Sequence, residues 1–253
     1  MAGLRTLLEL DADGGKTLDF TSFHVYNTNK NNANNGGQCC LFTVPTGVNW
    51  FAVELWGGGG GGAGACCCHQ GWAGGSGSYA RKFITGLSGT GGETYTICAA
   101  SSTNCSQSRC LGCSGFPSFV AVNGGSVETC ASGGTCGRTR CYFGSNCSYS
   151  GCAQFQCGSY IGGFGICGVT GSAKGSSYCY QMSWQYMPSA PFTAGGNRGT
   201  MSHCVQGPGC SVGGYAHWPG GGGPSASAHG GNYCGGPGAG GLVSIYYPTV
   251  VTP

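Results

Sequence analysis

The side chains with the widest chemical reach in this 253-residue chain are its 20 cysteines. Three stand together as Cys66-Cys-Cys68, followed by His69, and Cys110 and Cys113 form a C-x2-C pair. A structural zinc site draws pairs of ligands from separate places. Adjacent residues rarely converge on one ion, and no second pair stands at finger spacing, so neither a metal nor another cofactor is expected. Disulfides are the remaining use of so many thiols, in an oxidising final environment. Cys130, Cys136, Cys141, Cys147, Cys152 and Cys157 recur every five or six residues with turn formers between them. That spacing suits short extended rungs, each stapled to a neighbour. The disulfide candidates are these six with Cys66, Cys67, Cys68 and Cys98. Closing a loop of about 15 residues is worth about 3 kcal/mol in the chain-entropy account.

Catalytic constellations are missing from the pattern. His24, His69, His203, His217 and His229 sit in dissimilar contexts, and the aspartates end at Asp19. Glu54 lies in an apolar strand, whereas Glu93 and Glu128 stand alone. There is no G-x-S-x-G elbow, and Gly57–Gly62 lacks the Lys-Ser/Thr of a phosphate loop. Asp11-Ala-Asp-Gly lacks the closing Glu of a calcium loop. No enzyme is expected. Two stretches are dense in aromatic residues, Tyr178–Pro188 and Tyr215–Pro219. Tyr180, Trp184, Tyr186, His217 and Trp218 are the receptor-contact candidates, since such side chains join apolar area to a polar tip. The competing reading places them in a small core.

Composition limits what can hold these residues. There are 55 glycines and 10 prolines, roughly a quarter of the chain, at the edge of the low-complexity range. Yet aromatics make up 11% and charged residues only 7%, the reverse of a disordered chain. The net charge is +3 without a basic stripe, so nucleic acid is not an expected partner. No apolar run reaches the length of a membrane helix, and no membrane insertion is expected. Leu4–Leu10 is broken by Arg5 and Glu9 and does not read as a secretion signal.

The elements follow from alternation and punctuation. Residues 1–36 hold four of the seven acids and no cysteine; they read as an attachment hairpin with an Asn-rich linker, and residues 37–253 as the body. Val48–Trp56 is apolar on both faces and runs into six glycines, which suits a central strand covered on both sides. Tyr79–Leu87 and Glu93–Cys98 read as a strand pair. Gly240–Tyr247 alternates, with Leu242, Ser244 and Tyr246 on one face and Val243, Ile245 and Tyr247 on the other. We expect it in the sheet of Val48–Trp56. Glycine disfavours helix interiors by about 1 kcal/mol each, so helix content should be very low. The expected fold is all-β: an antiparallel, sandwich-like β frame enclosing a glycine-rich, disulfide-stapled loop or polyglycine region.

Five pieces carry a resemblance: Phe42-Thr-Val-Pro-Thr-Gly-Val, Val53-Glu-Leu-Trp-Gly-Gly-Gly-Gly, Gly75-Ser-Gly-Ser-Tyr-Ala, Gly92-Glu-Thr-Tyr-Thr-Ile and Gly240-Gly-Leu-Val-Ser-Ile-Tyr. In this order they resemble the glycine-rich domain of bacteriophage tail-fibre and related virion proteins, over roughly 40–100 and 235–247. The resemblance implies a virion structural protein, a component of a fibre or surface appendage that contacts the host surface. Some tip adhesins of that kind pack glycine runs as bundles of extended left-handed helices. The Cys-studded stretch 98–234 departs from the family pattern. Implied partners are other virion proteins through residues 1–36, further copies of the chain as a trimer, and a host surface glycan or protein. The implied location is the virion, extracellular after lysis, which accounts for cysteines without a signal. The alternatives are a disulfide-cross-linked extracellular coat or matrix protein, and a virion decoration or cement protein without receptor binding.

Overall fold

The computed structural model describes residues 20–26, 37–63, 65–66, 70–71, 74–103, 113–137, 139–140, 164–166, 218–223, 232–233 and 235–248. Among them there is no helix. The strands are β1 (Phe20–Tyr26), β2 (Gln38–Thr43), β3 (Trp50–Trp56), β4 (Ala65–Cys66), β5 (Gln70–Gly71), β6 (Tyr79–Thr85), β7 (Thr94–Ala99), β8 (Ser118–Val122), β9 (Val127–Ala131), β10 (Thr139–Arg140), β11 (Phe164–Ile166), β12 (Asn232–Tyr233) and β13 (Leu242–Pro248). Two antiparallel sheets dominate, ordered β1-β13-β3-β6-β11 and β2-β7-β8-β9. β4 pairs with β12 and β5 with β10 as two-residue ladders.

The apolar alternation decides which faces meet. Phe51, Val53 and Leu55 of β3, Val243 and Ile245 of β13, and Ala80 and Ile84 of β6 turn inward from the first sheet. Phe42, Tyr95, Ile97, Ala99, Val120 and Ala131 answer from the second, in one buried core. Phe51 sits edge-on between Phe42 and Tyr95, with ring centroids 5.4 and 5.1 Å away, a geometry that aromatic quadrupoles favour. The outer face of β3 is covered at one end, where Trp56 packs on Tyr79.

Val48–Trp56 and the C-terminal strand do share a sheet, with Ile245 opposite Val53. The β13 strand is internal, however, because β1 pairs with it from Phe20 opposite Pro248 to Tyr26 opposite Leu242. Part of the expected attachment element is thus a strand of the body's own sheet. Residues 1–19 and 27–36, including the hairpin turn at 11–16, lie outside the described residues.

The expected pair Tyr79–Leu87 and Glu93–Cys98 is not a hairpin. β6 belongs to one sheet and β7 to the other, because Ala80 and Ile84 must face Tyr95 and Ile97 across the core. Residues 86–93 arch between the sheets beside a second arch, 44–49, joining β2 to β3. The arches are tied by the bonds Val44 N–H to Glu93 O, Gly92 N–H to Val44 O and Gly47 N–H to Gly89 O. Gly91 has φ +78° and faces the backbone of Thr46, a conformation and an approach that favour glycine.

Candidate functional site

Each polypeptide leaving the top of the sandwich continues as an extended rod. Gly57–Ala63 follows β3. Residues 74–78 lead into β6, 113–117 into β8 and 235–241 into β13, while 100–103 and 132–137 leave β7 and β9. The first of these rods is the axis. Gly57 and Gly60 donate to Ser78 and Gly75, Gly58 and Gly61 to Phe116 and Cys113, and Gly59 and Gly62 to Ala239 and Gly236, all at 2.8–3.0 Å. Partners therefore repeat every third residue, the period of a polyproline II helix, which has no hydrogen bonds of its own. In each case one number rises as the other falls, so these three neighbours run antiparallel to the axis.

Three parallel rods fill the gaps. Gly134 and Gly137 donate to the carbonyls of Gly58 and Gly61, and Gly223 donates to Gly60. Thr103 Oγ1 donates to Gly59 O at 3.4 Å. The outer rods also bond one another, as Gly74 to Gly223, Gly75 to Thr135, Gly115 to Gly134, Thr103 to Gly238 and Gly220 to Gly240. Six rods of alternating direction thus surround one, and the buried backbone groups that glycine leaves bare find partners between rods.

This packing explains six glycines in succession. An axial helix with three residues per turn points every α-carbon at a neighbour. A Cβ on Gly57 or Gly60 would overlap the carbonyls of Ser132 or Thr135, and one on Gly59 would overlap that of Gly221. An outer rod needs glycine wherever it abuts another rod: Gly74 and Gly77 abut Gly60 O and Gly57 O of the axis, Gly235 and Gly238 abut Gly62 O and Gly59 O, and Gly133, Gly134 and Gly222 abut Gly115 O, Gly75 O and Gly74 O of neighbouring outer rods. Ser76 and Ser78 occupy positions between and beyond the inward glycines. The joint between frame and bundle is a side chain: Ser118 Oγ donates to Trp56 O at 2.7 Å and accepts from Ala100 N–H at 3.0 Å.

The registers gather Ala63, Gly74, Thr103, Cys113, Gly137, Gly223 and Gly235 at the far end of the bundle. The described residues that flank positions 64–73, 104–112 and 224–234 therefore all stand at that end. β4, β5 and β12 belong to these connections, whereas β10, the partner of β5, follows the rod that ends at Gly137.

Of the expected half-cystines, Cys98 is bonded to Cys39, its cross-strand partner between β2 and β7. Cys39 was not among the candidates; its opposition to Cys98 depends on the pairing of β2 with β7, which spacing does not reveal. Cys130 and Cys136 are free thiols, contrary to expectation. Cys130 sits opposite Phe119 across the ladder. Cys136 ends a rod where its N–H approaches Ser114 Oγ at 3.4 Å. Cys40 and Cys113 are also free. Cys66 lies in β4 opposite Asn232, and Cys67, Cys68, Cys141, Cys147, Cys152 and Cys157 lie outside the described residues. So do Tyr180, Trp184, Tyr186 and His217. Trp218 begins the rod 218–223 at the frame end, with half of its surface exposed.

Glu54, the one acid of β3, is an organiser of the outer sheet face. Its carboxylate accepts from Tyr79 Oη at 2.7 Å and Tyr246 Oη at 3.4 Å. Burial, then the Glu54 charge, pushes both phenols up. Among the described residues no group of three or more His, Cys, Asp or Glu converges to hold a metal ion. No protein-family model matches the sequence, and neither does any curated protein.

Proposed function

We propose that this chain is a structural component of a phage-type virion appendage, one that presents connections 64–73, 104–112 and 224–234 outward on a rigid glycine bundle. The observation that carries the reading is the polarity of the body. Residues up to 19 join the sheet at Phe20, opposite Pro248, at one end of the sandwich. The bundle leaves the other end and collects its connections at the far tip. An entry for residues 1–19 at one pole and the ends of three connections at the other is the layout of a presenter. Loops on a rigid scaffold are the usual place for recognition. The bundle supplies rigidity because each outer rod is bonded to the axis and to its neighbours.

Labelling intact particles tests this. Gold-tagged antibody raised against residues 64–73 should decorate the outer end of an appendage in electron micrographs, and the same antibody should slow attachment to host cells. Absence of the chain from purified particles would refute the reading. A cross-linked coat is the second reading, favoured by the exposed free thiol of Cys113 at the bundle tip; higher oligomers that dissolve on reduction would support it.

A further inference from the structure

A lysine stands in the inward row of β6. Ala80 and Ile84, two residues to either side, belong to the core, and Lys82 lies opposite the buried Val53 of β3. Its partner comes from the other sheet. Val120 pairs with Thr129 and Ala121 with Val127, so the β8–β9 ladder passes over Glu128. A bulge of this kind re-aims a side chain. Lys82 Nζ donates to Glu128 Oε2 at 2.7 Å and to Glu128 O at 2.9 Å. Two of the three ammonium donors are thus spent on one residue, which holds the nitrogen beside the carboxyl carbon. At the pole opposite the bundle, both residues line a cleft with Glu93 and Tyr95. Residues 37–253 contain only three carboxylates, Glu54, Glu93 and Glu128, and two of them line this cleft. One Glu93 oxygen accepts from Ser88 N–H at 3.0 Å, and the other is buried with no partner. Burial, then Glu128 and Glu93, push the Tyr95 hydroxyl up, so both carboxylates act on one phenol.

We propose that Lys82 and Glu128 condense to an isopeptide bond, a covalent staple between the two sheets. A bond forms between Lys82 Nζ and Glu128 Cδ, and one Cδ–O bond breaks. The two surplus protons of the ammonium leave with that oxygen as water, so no oxidant or co-reactant is consumed. Glu93 relays the protons through its unpartnered oxygen, the work of a general acid–base. Positioning supplies the rate, because a held pair reacts as one molecule at effective molarities that reach about 10⁵–10⁸ M. The plain alternative for an inward lysine beside a bulge is to guard the β9 edge against stray strands, and that use leaves the pair unmodified. The staple stands on the frame's own residues and does not depend on the appendage reading.

Electrospray mass spectrometry of the full chain, denatured, reduced and alkylated, tests it. The chain should weigh one water less than its sequence requires. Lys82→Arg keeps the ion pair but brings no nucleophilic amine, and it should regain that water, as should Glu128→Ala. Glu93→Gln retains an acceptor for Ser88 and should keep the fold while also regaining the water, an effect that a merely structural glutamate would not produce. A parental chain of full mass would overturn the proposal. So would a loss of water that persists in Lys82→Arg, and a loss that persists in Glu93→Gln would overturn the relay.

Discussion

The α-carbon of Gly59 lies against the carbonyl of Gly221 while its amide donates to Ala239 at 2.8 Å. Two rods are thus held on one residue, one by contact and one by a bond, and a methyl group would break both. Gly59→Ala should cost about 4 kcal/mol or more, in the range reserved for core disruptions, and should yield little folded protein. Gly58 is the internal control. A Cβ there would stand 3.0 Å from Ser101 O and 3.1 Å from the Ala100 methyl, distances that small shifts relieve. Gly58→Ala should cost about 1–3 kcal/mol, as overpacking does. Urea melts of the two variants would check the ranking; equal stability would contradict an axial rod.

The bundle shows what was legible in the sequence and what was not. Val48–Trp56 and Leu242–Tyr247 could be assigned to one sheet because alternation is local. The run Gly57–Gly62 was visible, but its role depends on six neighbours drawn from residues 74 to 241. Those neighbours announce themselves weakly, because an outer rod needs glycine only where it abuts the axis or another rod and tolerates Ser76, Ser114 or Thr135 elsewhere. Glu93 and Glu128 looked solitary for the same reason: the cleft that joins them arises from two sheets folding over each other. Cys39 was missed because its partner is set by register, and Cys130 was over-read because regular spacing does not place a sulfur opposite it.

Alkaline stability should track three phenols, Tyr79 and Tyr95 buried and Tyr246 half-buried. Tyr79, Tyr95 and Tyr246 have raised values in the folded state, first through burial and then through Glu54 or the cleft carboxylates. A raised phenol stays protonated in the folded chain while the unfolded chain ionises. The contribution is therefore complete below the ordinary tyrosine value of about 10 and is lost as pH rises above it. Stability measured by urea melts should fall above about pH 10, with a slope approaching 1.4 kcal/mol per pH unit for each phenol. Tyr79→Phe should flatten the slope, and an unchanged slope would remove Tyr79 from the account. Cys40 and Cys130, raised by burial, should add a shallower decline that begins near their ordinary range.

Thiol chemistry should divide by position. The Cys39–Cys98 bridge spans 59 residues of sequence, so its reduction should cost about 4 kcal/mol in the chain-entropy account. Among the free cysteines of the described residues, Cys40, Cys113, Cys130 and Cys136, a maleimide should label exposed Cys113 first under native conditions. Cys40 and Cys130, partly covered and held toward the neutral thiol by burial, should react more slowly because the thiolate is the nucleophile. Peptide mapping after timed labelling reads the order. Labelling of Cys130 ahead of Cys113 would contradict its place on β9.

Removing residues 1–26 should separate folding from assembly. Among the residues whose side chains are described, the core that unites the sheets is built from β2, β3, β6, β7, β8, β9, β13 and the arch residues Val44 and Val48, and the shortened chain should retain its cooperative melt on that core. It would, however, strip β1 from β13 along seven register pairs and leave an internal strand as an open edge. Unpaired edges recruit other strands. The shortened chain should therefore self-associate at concentrations where the full chain does not, seen by size-exclusion chromatography. Amides of Leu242–Tyr247 that donate toward β1 should lose hydrogen-exchange protection in the monomer. Loss of the melt itself would mean that β1 belongs to the folding unit rather than to its border.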